Sequence, residues 1–236
     1  MLGFTARSNF PEIEKNMAVG PSELLSSALD ALPIFPLPGT IFFPHTLMPL
    51  HIFEPRYRQL IEQVLASHQH LAVVLVDPQN NSRPPLRCAS VAGVGKVVHH
   101  ERLPDGRFHI LLQGVGRVVV EEELPADGLL YRRVKARLLD AGEGDDVDAE
   151  IATLRGCYAQ LLSADPQCKD TLGDLPLRLS SASVVSDLVC AALLEDVAER
   201  QNALQERSLH RRLTLANDAL ATLLLRNLGH DGSLLH

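Results

Sequence analysis

The chain of 236 residues contains no tryptophan, and only 4% of it is aromatic. Its core must therefore be built mostly from leucine, valine and alanine. Lysine is almost missing as well, with only Lys15, Lys96, Lys135 and Lys169. Arginine carries most of the positive charge and the net charge is −7, which argues against the basic stripe that a nucleic-acid binder needs. The four cysteines, Cys88, Cys157, Cys168 and Cys190, form no C-x-x-C pair and have no zinc-type spacing to histidine. They read as buried or free thiols of a reducing compartment. No apolar run reaches membrane-spanning length. The start, MLGFTARSNFPEIEKNMAVG, lacks the continuous apolar stretch of a secretory leader. The expectation is a cytoplasmic protein without membrane contact. At 46% hydrophobic and 22% charged, it can bury a substantial core.

Signatures of catalysis are missing too. Val94-Gly95-Lys96 superficially matches the end of a phosphate loop, but that loop needs glycine at position 90 and Ser or Thr at 97, where Ser90 and Val97 stand. Gly93-x-Gly95 and Gly114-x-Gly116 sit inside β patterns, where glycines mark bulges. Neither opens a helix with a third glycine, so a dinucleotide fingerprint fails. No G-x-S-x-G elbow occurs. The ten histidines include His45, His51, His68, His70, His99, His100 and His109. None sits in an H-E-x-x-H context, and adjacent histidines on a strand point to opposite faces. They read as surface or satisfied side chains. The carboxylates from Glu121 to Glu123 form a charge run at a strand end. No catalytic residue, metal ligand or cofactor is expected.

What is present divides the chain. Residues 1–30 read as an N-terminal extension ending in a short helix, with Ser22 as its cap. Residues 31–140 read as a β domain with one early helix. That helix starts at Glu54-Pro55, since proline suits a first helical position, and Tyr57, Leu60, Ile61, Val64 and Leu65 fall on one face. LAVVLV at 71–76 is a buried strand, followed by a polar, Pro-rich loop at 77–87. VAGVGKVVHHERL, RFHILLQGV, GRVVVEEEL and YRRVKARLL read as four further strands, with a hairpin turn at Asp105-Gly106. Residues 141–149 fall in an acidic linker, the stretch DAGEGDDVDAE. Residues 150–236 read as helices, with apolar stripes at Ile151, Leu154, Tyr158, Leu161 and Leu162, at Val184, Val185, Leu188, Val189, Ala192 and Leu193, and at Leu209, Leu213, Leu220, Leu223 and Leu224.

One segment stands out. LPIFPLPGTIFFPHTLMPLHIFEPRYRQLI, residues 32–61, holds six prolines and four phenylalanines. Pro44 and Pro49 forbid a central, fully paired strand and imply an edge strand or a kinked crossing segment. The run Leu32-Pro33 to Pro36-Leu37, the step Phe42-Phe43-Pro44 and the pair Pro49-Leu50 before the first helix resemble the start of the N-terminal, substrate-binding domain of Lon ATP-dependent proteases. LAVVLV, the Asp-Gly hairpin and YRRVKARLL agree, and the resemblance covers about residues 31–228. It implies an α+β fold: a PUA-like pseudo-barrel of mixed and antiparallel strands with one early helix, followed by a C-terminal helical bundle. It implies a stand-alone relative of that domain, since neither the ATPase phosphate loop nor the Ser-Lys peptidase dyad is found, and hence no enzyme.

The function so implied is non-catalytic binding of proteins or peptides, as a recognition or adaptor module linked to proteolysis. Its partners would be unfolded or specific client proteins, with a protease as a further partner. On this reading the prolines bend an extended chain around the barrel and the phenylalanines plug it, part of the set lining a groove for apolar segments. The candidate binding residues are Phe42, Phe43, His51, Phe53, Glu54 and Arg56. Core packing is the alternative role for Phe35, Phe42, Phe43 and Phe53. A helix cap and a solvated charge are the alternative for Glu54 and Arg56. Two other functions stay open: RNA binding through Arg132, Arg133, Lys135 and Arg137, by analogy of fold alone, and small-molecule sensing in the cleft between barrel and helices.

Overall fold

The computed structural model describes residues 23–76, 87–140, 146–164, 173 and 175–231. The expected tail with its Ser22 cap, residues 77–86 of the polar loop and residues 141–145 of the acidic linker lie outside the described residues. Six strands form one sheet: β1 (Leu32–Pro38), β2 (Leu47–Ile52), β3 (His70–Val76), β4 (Val91–Arg102), β5 (Phe108–Glu123) and β6 (Arg132–Leu138). Their order is β2-β5-β4-β3-β1-β6, and β5 also pairs with β6. That last pairing closes β1, β3, β4, β5 and β6 into a barrel, in which only β1 and β3 run parallel. Helix α1 (Glu23–Ala28) precedes the barrel and α2 (Pro55–Leu65) packs on its flank. Helices α3 (Asp148–Ala164), α4 (Leu175–Arg178), α5 (Ala182–Leu193), α6 (Val197–Gln205) and α7 (Leu209–Asp231) follow. The architecture is the expected α+β barrel with a C-terminal helical region. No helix among the described residues is long and apolar enough to cross a membrane.

After His70, strand β3 is apolar throughout and is buried on both faces. Ala72 and Val74 join Leu32, Ile34, Val94 and Val134 in one core, while Leu71 and Val73 join the layer under α2. The first core holds only alanine and branched aliphatic side chains among its fully buried members. The phenylalanines do not plug it: Phe35 and Phe42 lie in the α2 layer and Phe43 packs with the C-terminal helices. A ring of so few strands leaves room for small side chains and none for phenyl rings.

Two glycines make this arrangement possible. A Cβ on Gly93 would fall 1.8 Å from the Phe42 carbonyl oxygen, and one on Gly114 would fall 2.1 Å from that of Phe43. The Phe42-Phe43 backbone therefore lies directly on β4 and β5. It is pinned there by His45 N–H to Gly114 O and Gly114 N–H to Thr46 O, both at 2.9 Å. The second glycine pair also corrects an expectation. RFHILLQGV and GRVVVEEEL are one strand, β5, of 16 residues. The pairing of Gly95 with Gly114 and Val94 with Gly116 leaves Val115 as a bulge, which bends a strand without ending it. The first half of β5 pairs with β2 and the second with β6.

Among the described residues, the prolines in β1 sit where the strand is paired on one side only. Leu32–Ile34 meets β6 and Ile34–Pro38 meets β3. Pro33 thus has β6 alone, while Pro36 and Pro38 have β3 alone, so no ladder on a second side misses their N–H. Pro49 lies on β2, which pairs with β5 and stands at the end of the strand order, as the sequence predicts.

The C-terminal helices bury Ile151, Leu154, Tyr158 and Leu161 of α3, Val185 and Val189 of α5, and Leu213, Ala216 and Leu220 of α7. Ile41, Phe43 and Val91 from the barrel side complete that core. Polar groups reinforce the seam. Gln201 Nε2 of α6 donates to Val91 O at 3.0 Å, and Arg117 of β5 pairs with the buried Asp187 of α5.

His70, at the start of β3, is 2% exposed and its Nδ1 has no hydrogen-bond partner among the described residues. Burial pulls its pKa from 6.5 down to about 4. The folded state thus refuses a proton that the unfolded state accepts. Its contribution is fully present above pH 6.5 and is lost as pH falls towards 4, by up to about 3 kcal/mol. His45 and His68 are shifted the same way by burial. Urea unfolding between pH 7.5 and 4.5 is expected to show this acid limb, and His70→Leu is expected to flatten it. An unchanged limb in the variant would remove His70 as its source.

Candidate functional site

A groove of about 340 Å³ opens beside β1, beyond the residues where β6 pairs with it. One bank is the unpaired side of β1 at Pro36, Leu37 and Pro38; the other is Leu50, His51 and Ile52 of β2, continuing through Phe53 and Glu54 into α2. Phe35 and Tyr57 form part of the lining, their rings 4.1 Å apart. The floor exists because β6 leaves β1 after Ile34, so the prolines that limit pairing also leave an apolar channel beside the strand.

Phe53 is 59% exposed, an unusual place for a phenyl ring beside an apolar channel. His51 stands next to it, 5.9 Å from the Phe53 ring and 4.9 Å from that of His109. Charge on the rim is compensated locally. Arg56 lies 2.7 Å from the Glu54 carboxylate and its guanidinium stacks 4.6 Å from the Tyr57 ring. Burial raises the Tyr57 pKa, so the phenol stays neutral. Glu54 occupies the N-cap position of α2, yet its side chain caps no backbone N–H; its backbone oxygen accepts from Tyr57 and Arg58 instead. The titratable groups lining the groove are His51, Glu54, Arg56 and Tyr57. With its apolar floor and one half-exposed aromatic ring, this is a surface suited to apolar side chains. Among the described residues no cluster of three or more His, Cys, Asp or Glu has metal-site geometry.

Of the six residues singled out from sequence, the structure brings His51, Phe53, Glu54 and Arg56 together around this groove. Phe42 and Phe43 are each 1% exposed and take no part in it. They splay to opposite sides of an extended segment, one towards α2 and the other towards the helices. Sequence reasoning missed the β1 bank and Tyr57. The signal was present: three prolines in β1 mark a strand with a free side. Of the four cations on the arginine strand, the three arginines are paired with carboxylates and Lys135 is exposed. Arg132 lies 2.6 Å from Glu123, Arg133 lies 3.1 Å from Asp127 and Arg137 lies 3.4 Å from Glu121.

Comparison with known proteins agrees with this architecture. The chain is 22% identical over 207 residues to the Lon protease of Desulfosudis oleivorans, covering 86% of this chain and 25% of that one. It is 26% identical over 206 residues to the Lon protease of Methylocella silvestris, again covering 86% and 25%. The chain thus spans about a quarter of the length of these curated relatives. Among solved structures, the N-terminal domain of Mycobacterium avium complex Lon protease superposes with a TM-score of 0.64 at 18% identity, over 81% of this chain and 98% of that one. A Lon N-terminal domain protein from Xanthomonas campestris gives 0.59 at 21% identity, over 78% and 95%. These two likenesses establish the fold. The family model of the ATP-dependent protease La (LON) substrate-binding domain matches residues 31–222, and the chain belongs to that family.

Proposed function

We propose that the chain is a non-catalytic recognition module that takes apolar segments of protein clients into the groove beside Phe53, in a role linked to proteolysis. The observation that carries this reading is the exposed Phe53 ring beside an apolar channel, with a strand on each bank that has an unpaired side among the described residues. An extended segment entering there has backbone partners along the β2 edge and apolar contacts along the floor, which is the physics of strand addition. Membership of a substrate-binding family supports protein as the ligand class. The RNA alternative loses support because the arginines of β6 are matched by carboxylates.

The test is fluorescence anisotropy with labelled, permanently unfolded casein. Phe53→Ala is expected to weaken binding about tenfold, the effect of removing one aromatic anchor. Because the ring is already mostly solvated, stability should change by no more than about 0.5 kcal/mol. Leu225→Ala, at another exposed position (70%) on α7, should leave binding unchanged. Equal effects of the two variants, or none from Phe53→Ala, would count against the groove.

A further inference from the structure

A second groove lies among the C-terminal helices and is lined by no residue of the barrel. It encloses about 660 Å³ between the end of α5, the first turns of α6 and one face of α7. Helix α7 carries two adjacent apolar stripes. Leu213, Ala216 and Leu220 are buried in the helical core. Leu215, Ala219 and Leu223 are spaced four apart, remain half-buried and line the groove. Leu193 and Leu194 form the apolar part of the opposite wall.

Each wall also carries an exposed carboxylate, Glu199 on α6 and Asp218 on α7, and neither has an ion-pair partner among the described residues. Asp196 adds a third, though it caps α6 by accepting from the backbone of Ala198 and Glu199. The cation of the lining, Arg226, lies 2.7 Å from Glu195 in a pair whose side chains are 57% and 77% exposed. Against this one cation stand four carboxylates of the lining, Glu195, Asp196, Glu199 and Asp218. The groove is therefore apolar along its floor and negative along both banks.

We propose that this groove is the docking site for a basic amphipathic α-helix of a partner protein, with its apolar stripe on Leu194, Leu215, Ala219 and Leu223 and cations flanking that stripe against Glu199 and Asp218. Three features select this occupant. The charges on the two banks call for positive side chains on both sides of one apolar stripe, the pattern of such a helix. Apart from the short link Leu194–Asp196 the walls are helices whose backbone groups are internally bonded, so an extended segment would find no strand to pair with, whereas a helix satisfies its own backbone. The α7 face from Leu215 to Arg226 is about 16 Å long at 1.5 Å per residue, which matches three turns of a partner. Ala219 in the middle of the floor lets that helix approach closely.

The experiment uses the full chain and a labelled peptide of about three turns, made of leucine and lysine patterned for one apolar stripe on a helix. Saturable binding is expected, weakening with salt. A glutamate-for-lysine peptide, and a peptide of the same composition in strict alternation, should each bind at least about tenfold more weakly. The double variant Glu199→Lys/Asp218→Lys changes two exposed side chains and should retain the parent Tm while losing about tenfold in affinity. Ala219→Arg should abolish binding by filling the floor. Phe53→Ala should have no effect here, which separates this site from the barrel groove. The proposal is overturned if the alternating peptide binds as well, if the charge variant binds unchanged, or if Phe53→Ala removes binding. It is also overturned if sedimentation shows dimers that Ala219→Arg dissolves, for then the occupant is a second copy of this chain.

Discussion

Replacing Gly93 by alanine is expected to be among the most damaging single-methyl changes this fold allows. The added Cβ would stand 1.8 Å from the Phe42 carbonyl oxygen and 2.8 Å from its carbon. Both are backbone atoms, so no rotamer change relieves the clash. The Phe42-Phe43 segment must lift from β4, and both rings move with it. Phe42 then leaves the layer under α2 and Phe43 leaves the core it shares with α3, α5 and α7. Withdrawing a buried phenyl ring costs about 3 to 5 kcal/mol, and here two are disturbed at once. The loss is expected to exceed about 4 kcal/mol, a large part of a typical total stability. Gly116→Ala is the control. Its Cβ would meet Val94 Cγ1 at 3.6 Å, an ordinary contact, and the change should stay within about 1 kcal/mol. Soluble yield and Tm of the two variants decide the matter. A Gly93→Ala protein melting within a few degrees of the parent would show that the segment is not held on β4 as described.

That pair of glycines marks the border between what the sequence reveals and what it conceals. Local chemistry was legible. Pro55 opens α2, and Tyr57, Leu60, Ile61 and Val64 are buried together on its face. The Asp105-Gly106 turn joins β4 to β5 through Leu103 N–H to Arg107 O at 2.8 Å. LAVVLV is a strand because an uninterrupted apolar, valine-rich run suits burial on two faces. Tertiary consequences were not legible. Gly114 and Gly116 look the same in sequence whether a strand ends or bulges, and the partner strand β4 decides it. Phe42, Phe43 and Phe53 are chemically identical, yet two are sealed and one is exposed. The difference lies in the glycines beneath Phe42 and Phe43, far away in sequence. The same holds for the candidate groove. Its β2 bank and helix start follow from the residues singled out, while its β1 bank depends on where β6 stops pairing. Helix α6 has no strong apolar stripe to announce it, because its buried face includes Gln201, whose amide spends its hydrogen bond on β4.

The other large effect is expected at Asp187, where barrel and helices are joined by charge. Asp187 is 1% exposed on α5 and faces two arginines. Arg117 of β5 engages both carboxylate oxygens, one at 3.0 Å, and its Nε donates to Leu204 O of α6 at 2.8 Å. Arg212 of α7 is 2% exposed, with its Nε 3.8 Å from Asp187 and its terminal nitrogens on Ser183 Oγ and Glu206 O. Burial depresses the Arg212 pKa, a sign of how poorly the site would hold that charge uncompensated. One carboxylate thus balances two guanidinium groups, and the three residues come from three elements. Asp187→Ala leaves both cations buried, facing one another without a counter-charge, and removing one member of a buried pair costs about 3 to 5 kcal/mol. Because Arg117 is the link to the barrel, the helices should also uncouple. In a Tyr158→Phe background, which removes the tyrosine of the helical core, urea unfolding followed by far-UV circular dichroism should lose most of its helical signal before the near-UV signal of Tyr57 and Tyr131, which lie in the barrel layer. Replacing the ions together by apolar side chains of similar volume, as in Arg117→Met/Asp187→Leu/Arg212→Met, should recover much of the loss, since such sites tolerate a packed apolar substitute. A single coincident transition with a loss below about 1 kcal/mol for Asp187→Ala would mean that apolar packing around Phe43 alone fastens the helices to the barrel.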